Sequence, residues 1–375
     1  MIFIARKILL HDKVRFAITL IGVTFSVVLI FAQVGVYLGF MQNASSIIDH
    51  TDSDIWITSK HSSNFDWARP IPETRAAQAR EAPGVLWAKK MILAWSVIRL
   101  PNGGSEGIEL IGYDPDTGIG GPWRMEAGDP DAVKGGDRII IDASARRKLG
   151  GFEVGDHREV EEKRVEIVGI SKGIANITTA PYIFASHDVA RKLSLYIGPD
   201  QTVFVLVKTA PGADVGAVVQ ELKRRLIGVD VYTKADFSYK TRRYWTIETG
   251  MGLGFLLTAV VGFLVGLVVV SQTIYTSTME HLREYGTLKA IGASNRVIYA
   301  IIFDQAIINA IIGYALGLIT SLSLVGGYAK AGIAMVIPPP LMVAIFFATI
   351  VMCLSASFIS IRKAAQIDPA MVFRA

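Results

Sequence analysis

Four stretches of this chain contain no Asp, Glu, Lys or Arg: Phe16 to Ile48, Thr249 to Met279, Gln305 to Ala329 and Ala331 to Ile361. This feature limits the fold more than any other. Each stretch exceeds the roughly 20 apolar residues that carry a helix across a bilayer. Only Lys330 separates the third from the fourth, so these two form a hairpin around "GGYAKAGIAMVIPPP". The chain is 51% hydrophobic and 19% charged, and the apolar residues are bunched rather than scattered. Four spans are predicted. The first run is longer than the roughly 7–15-residue apolar core of a removable signal peptide, so it is expected to remain as an anchor.

Charge placement orients the spans. Arg6, Lys7, Lys13 and Arg15 precede the first; Arg283, Lys289 and Arg296 lie between the second and third; Arg362, Lys363 and Arg374 follow the fourth. Basic residues near span ends stay in the cytoplasm. Both termini and the 280–296 loop are therefore expected inside, and Met41–Ile247 outside. That outer segment holds 27 basic and 27 acidic residues, so the net charge of +5 comes from the inner flanks. Nothing here supports nucleic-acid binding. The single Cys353 lies in the fourth span, which leaves the outer segment without disulfides.

The expected organisation follows: residues 1–15 a cytoplasmic amphipathic segment or an extension of the first span, 16–42 the first span, 43–245 the outer domain, 246–279 the second span. Residues 280–296 form a cytoplasmic loop, 297–325 the third span, 326–339 a short outer loop, 340–361 the fourth span and 362–375 a cytoplasmic tail. Within the outer domain, "DIWITS" alternates as a strand, "PETRAAQAREA" starts with Pro and is rich in Ala as a helix, and "VLWAKKMILAWSVIRL" is strand again. The order returns in "TVFVLVK", in a helix marked by Val215, Val218, Val219, Leu222 and Leu226, and in "GVDVYT". Strand-like "RIIID", "KRVEIVGI" and "PYIFAS" lie between. The fold class is a polytopic membrane protein with an α/β extracytoplasmic domain inserted between helices one and two.

Enzyme motifs are missing. No phosphate-binding G-x-x-x-x-G-K-[ST] and no zinc-binding H-E-x-x-H occurs. The six histidines are dispersed, and His50 and His61 near the outer mouth of the first span read as surface residues rather than metal or haem ligands. Glu159, Glu161 and Glu162 alternate with Arg158, Lys163 and Arg164 as a solvated strand and turn. Asp304 is the one acid near the interior of a span, close to its inner edge, and reads as structural rather than proton-carrying. No catalytic, cofactor or metal residue is assigned. The pairs Gly35/Gly39, Gly262/Gly266 and Gly313/Gly317 are spaced for close helix approach, within the chain or across a dimer. Gly35, Gly39, Gly262 and Gly266 are the candidates for dimer packing.

The loop between the second and third spans is more structured than a reversal requires. Met279, Leu282, Tyr285 and Leu288 recur every third residue as an apolar stripe, with Glu280 and Glu284 on another face and Arg283 close to Glu280. Gly286 is expected to interrupt the helix. "TLKAI" adds about one turn, and Gly292 ends it before Ser294 and Asn295 cap the next helix.

The stretch "EHLREYGTLKAIGASNRVIYAIIFDQAIINAIIGYALG", with the tail "IRKAAQIDPAMVFR", resembles the FtsX/MacB-like family of ABC transporter permeases. The layout matches end to end, and the region around the second span is most similar to DevC-like permeases of the heterocyst glycolipid exporter type. The resemblance implies a MacB-like periplasmic core domain, a homodimer in the bacterial inner membrane, and two separate cytoplasmic ATPase subunits holding ATP and Mg. It implies that Tyr285–Ala293 is the coupling helix. Glu284, Tyr285, Gly286, Leu288, Lys289, Ile291 and Gly292 are the candidate coupling residues: Leu288 and Ile291 for apolar contact, Glu284 and Lys289 for charge, the glycines for the bends. An amphiphilic, lipid-like substrate would be expelled from the outer leaflet or periplasm, with a periplasmic adaptor and outer-membrane channel as further partners. A regulator that relays ATPase motion to an outside enzyme is the other class, and lipoprotein-releasing and haem-exporting permeases are variants.

Overall fold

The computed structural model describes residues 13–174, 176 and 180–365. Most of the expected amphipathic segment, residues 1–12, and the tail from 366 lie outside them. The chain divides into two compact units, one made by the residues up to Gly39 with those from Gly252 onward, the other by Phe40–Met251.

The first unit is helical. Lys13–Ala44, Met251–Glu280, Asn295–Lys330 and Pro339–Ala365 are long helices, each with a stretch long and apolar enough to cross a membrane. Their shared core contains Val23, Val27, Phe31, Val270, Ile274, Ile301, Ile302 and Met352. Much of the rest of the apolar surface faces outward: Leu256, Leu257, Val260, Val261, Leu264 and Val268 of the second span are all exposed. In water that surface would be costly; in hydrocarbon it is matched to its solvent.

The second unit carries the strands β1 (Ile55–Ser59), β2 (Ile71–Pro72), β3 (Val85–Arg99), β4 (Ser105–Tyr113), β5 (Met125–Gly128) and β6 (Arg138–Asp142). They are followed by β7 (His157–Val160), β8 (Lys163–Ser171), β9 (Tyr182–Ser186), β10 (Gln201–Thr202), β11 (Phe204–Thr209) and β12 (Val229–Thr233). One sheet runs β12-β1-β11-β3-β4-β9-β6-β8-β5, with β7 bonded to β3 and β8, while β2 and β10 form a separate pair.

The β12-β1-β11-β3 end is antiparallel throughout. Helix Thr74–Arg80 connects toward β3, and helix Val215–Arg225 connects β11 to β12. Ala76 and Ala79 of the first, and Val218, Val219 and Leu222 of the second, pack on Ile55, Ile57, Val205 and Val207 of the sheet. The two β-α-β halves read in the sequence are thus interleaved, in the strand order of a ferredoxin-like unit. Everything from residue 100 to the start of β11 is inserted into it. Leu110, Ile140, Ile167 and Phe184 of the inserted part share one core with Trp56, Phe204 and Phe237 from outside it.

β3 joins the two. Val85–Met91 pairs with β11, and from Ile92 to Arg99 the same strand pairs with β4. Fifteen extended residues reach about 50 Å, so one unbroken strand belongs to both sheet halves.

Candidate functional site

The loop between the second and third spans holds a helix at Leu282–Ala290. Tyr285 is 1% exposed and buried in the same core as Ile298, Ile301 and Ile302, with Leu282 and Leu288 packed partly against that core. The predicted stripe exists, and it faces the spans. The Gln305 side chain of the third span lies beside the Tyr285 hydroxyl.

The helix ends on Gly292, whose φ is +99°. Ala293 N donates to Leu288 O at 2.9 Å and Gly292 N to Lys289 O at 3.0 Å, the paired bonds of a Schellman motif. A side chain at this φ is strained, which is why glycine stands here. Gly286 differs from expectation: it is buried inside the continuous helix and makes no bend. Packing against the spans supplies the order that its missing side chain removes.

The candidate residues therefore separate. Tyr285 and Gly286 are buried and Leu288 is half-buried, so their side of the helix faces the spans. Ile291 is 80% exposed just past the helix end. Glu284 is exposed, its Oε2 lying 2.9 Å from His281 Nδ1, and Lys289 is half-buried. Glu280 pairs far along the chain: Arg15, at the start of the first span, donates to both of its carboxylate oxygens. This clamp joins residues 265 apart, which no local spacing foretells.

Sequence reading also missed Gln305 and Asn309, both 1% exposed in the third span. The signal was present: they continue at four-residue spacing into Gly313 and Gly317 on one helix face. Asp304, beside them, is half-buried.

The four glycines assigned to dimer packing have neighbours within the chain. A Cβ on Gly262 would stand 2.9 Å from Leu29 Cδ2, and one on Gly266 2.5 Å from both Met352 Sδ and Ser26 Oγ. On Gly39 it would meet the Ala334 carbonyl oxygen at 2.3 Å, and on Gly35 the Met335 side chain at 3.2 Å. The outer turn also donates from Val336 N to Gly35 O at 3.0 Å. These ridges let one chain's helices and its own outer turn approach closely.

In the outer domain a cleft of about 570 Å³ is lined by Glu73, Lys89, Lys90, Asp114 and His187 among others. Lys90 pairs with Glu73 at 2.7 Å and Lys89 with Asp114 at 2.6 Å. A wall of paired charges is the wrong chemistry for an alkyl chain. His50 stacks on Trp123 with ring centres 4.0 Å apart, and no cluster of potential metal ligands exists among the described residues.

Comparison with known proteins agrees with this layout. Residues 16–225 match the MacB-like periplasmic core domain, and residues 256–369 match the FtsX-like permease C-terminal region. An uncharacterized ABC transporter permease of Mycobacterium tuberculosis H37Rv is 25% identical over 376 residues, covering 100% of this chain and 99% of its own. The pyoverdine export ATP-binding/permease protein PvdT of Pseudomonas entomophila is 21% identical over 389 residues, covering 97% of this chain and 58% of its own. The crystal structure of the periplasmic region of MacB from Actinobacillus actinomycetemcomitans aligns with 52% of this chain and 96% of its own, at 10% identity and a TM-score of 0.39. The four apolar helices, the inserted α/β domain and the two matched regions place this chain in the FtsX/MacB-like family of ABC transporter permeases, as a multi-pass protein of the bacterial inner membrane.

Proposed function

We propose that this permease relays the motion of two separate cytoplasmic ATPase subunits, which hold ATP and Mg, to its extracytoplasmic domain, and so expels an amphiphilic or lipid-like substrate from the outer leaflet or periplasm. The observation that carries this reading is the loop helix. Its inner side is anchored through Tyr285, its end is fixed by Gly292, and Ile291 stands out beyond it. A floppy turn absorbs a push; a seated helix passes it to the spans. The shared strand β3 supports the same reading, because displacing one sheet half displaces the other. The export role in the name of the pyoverdine relative favours an exporter over a regulator.

The functional unit in this reading is a homodimer. The glycines of the first and second spans are occupied within the chain, so its contact uses exposed apolar residues such as Phe25, Leu257 and Leu264. In a cell with two membranes, a periplasmic adaptor and outer-membrane channel would complete the path. The test is to purify the full chain with its ATPase in nanodiscs of phosphatidylethanolamine and phosphatidylglycerol and measure ATP turnover. Stimulation by total lipid extract supports export. Stimulation by an extracytoplasmic protein fraction alone supports the regulator, and failure to retain any ATPase overturns both.

A further inference from the structure

Gln305 and Asn309 sit one turn apart on the third span, both buried. Gln305 Nε2, a donor, and Asn309 Oδ1, an acceptor, have no hydrogen-bond partner among the described residues. Burial of such a pair is costly, and buried polar groups as a rule find a partner. Both residues line one cavity of about 30 Å³, bounded also by Thr273, Ser277 and the Arg15–Glu280 clamp. That volume holds about one water molecule, and a water needs two to four polar partners around it. The cavity is too small for an organic ligand. Its walls offer a donor, an acceptor and the hydroxyl side chains of Thr19, Thr273 and Ser277.

We propose that this cavity binds one water, which accepts from Gln305 Nε2 and donates to Asn309 Oδ1, and that the two residues thereby position Tyr285 and the loop helix on the third span. Gln305 is the shared member: its amide lies beside the Tyr285 hydroxyl, and its Nε2 faces the cavity. An apolar seat slides along its neighbours, whereas a hydrogen-bonded one has a single register. The positioning role rests on the coupling reading above; the water does not.

Two measurements test this. In a density map of the nanodisc complex that resolves ordered waters, a peak should lie about 2.7–3.2 Å from both Gln305 Nε2 and Asn309 Oδ1. A cavity without such a peak overturns the water. Gln305→Met, Asn309→Leu and the double variant are then assayed for ATPase recovery and for turnover of the complex relative to the ATPase alone. Each single variant should recover normal ATPase and lose about two- to thirtyfold of the turnover ratio. The double variant should lose no more than the worse single one, because both break the same seat. Losses that multiply, or a ratio left at the wild-type value, overturn the positioning role. Wild-type chain that binds no ATPase overturns the coupling reading, and with it the positioning role, while the map still decides the water.

Discussion

Trp245 Nε1 donates to Asp66 Oδ2 at 2.9 Å, and the same oxygen accepts from Asn64 Nδ2 at 2.9 Å. Trp245 lies in the π-helical turn Tyr244–Glu248, and its ring meets Phe40 edge-on at 5.8 Å. One side chain thus ties a loop of the outer domain to the chain leaving the first span and to the chain about to begin the second. Single π-turns concentrate at functional positions.

Burial raises the Asp66 carboxyl to about 6, with the Trp245 bond pulling the other way. The folded state therefore keeps this proton to a higher pH than the unfolded chain, whose carboxyl titrates near its ordinary value. Asp66 does not penalise folding below about pH 4, and the penalty grows as pH rises through 6. Asp66→Asn keeps an acceptor for Trp245 and never ionises. It should raise stability at pH 7.5, by about 3 kcal/mol at most, and flatten its pH dependence between 4 and 6. Thermal unfolding of the full chain, followed by tryptophan fluorescence, would show this; an unchanged or lower melting temperature at pH 7.5 contradicts it.

His187 should behave in the opposite sense. Burial, followed by nearby Lys90, lowers its imidazole to about 4. The ring is neutral at pH 7, so its 3.8 Å approaches to Glu73 and Asp188 are not ion pairs there. The unfolded chain takes up this proton first, so the stabilising contribution is present above about pH 6.5 and is lost as pH falls through 4. His187→Gln removes that loss, and acid unfolding of the variant should be displaced to lower pH. An acid transition at the wild-type pH would show that His187 does not drive it.

Gly39→Ala should destabilise the membrane unit by about 1–3 kcal/mol, because its Cβ meets a backbone carbonyl that cannot swing aside. Gly327→Ala, whose Cβ would have nothing within 4 Å, serves as the control and should be neutral or mildly stabilising. Melting temperatures in one detergent compare the two directly. Equal values would mean that the outer turn yields without cost.

What the sequence disclosed followed the range of the interactions. The spans were legible because a charge-free run is a local property. The helix Val215–Arg225 was legible because Val218, Val219 and Leu222 share one face. Strand order was not: β1 pairs with β11 across some 150 residues, and β3 changes partner at Met91 without any mark in its sequence. The Arg15–Glu280 clamp is equally non-local. At Gly286 a local rule pointed the wrong way, because burial against the spans outweighs the low helix propensity of glycine, which is only about 1 kcal/mol. At Gly292 the same rule held, because there the backbone itself needs a positive φ.

The loop supplies the last prediction, and the structure sharpens it. Leu288 is half-buried against the spans, so changing it disturbs the seat and any partner contact together. Ile291 is exposed and borders no core, so it isolates the contact. Ile291→Asp should leave the amount of folded chain in the membrane unchanged and sharply reduce recovery of the ATPase, since a buried interfacial carboxylate without a partner is disfavoured by several kcal/mol. Gly292→Leu tests geometry instead of chemistry. It keeps Ile291 but forces a left-handed residue at a cost of about 1–2 kcal/mol, and it should weaken ATPase recovery less than Ile291→Asp does. Normal recovery with Ile291→Asp would remove Ile291 from the contact and turn attention to Glu284 on the same loop. Pull-down of the coexpressed ATPase, normalised to membrane-inserted permease, reads both variants in one experiment.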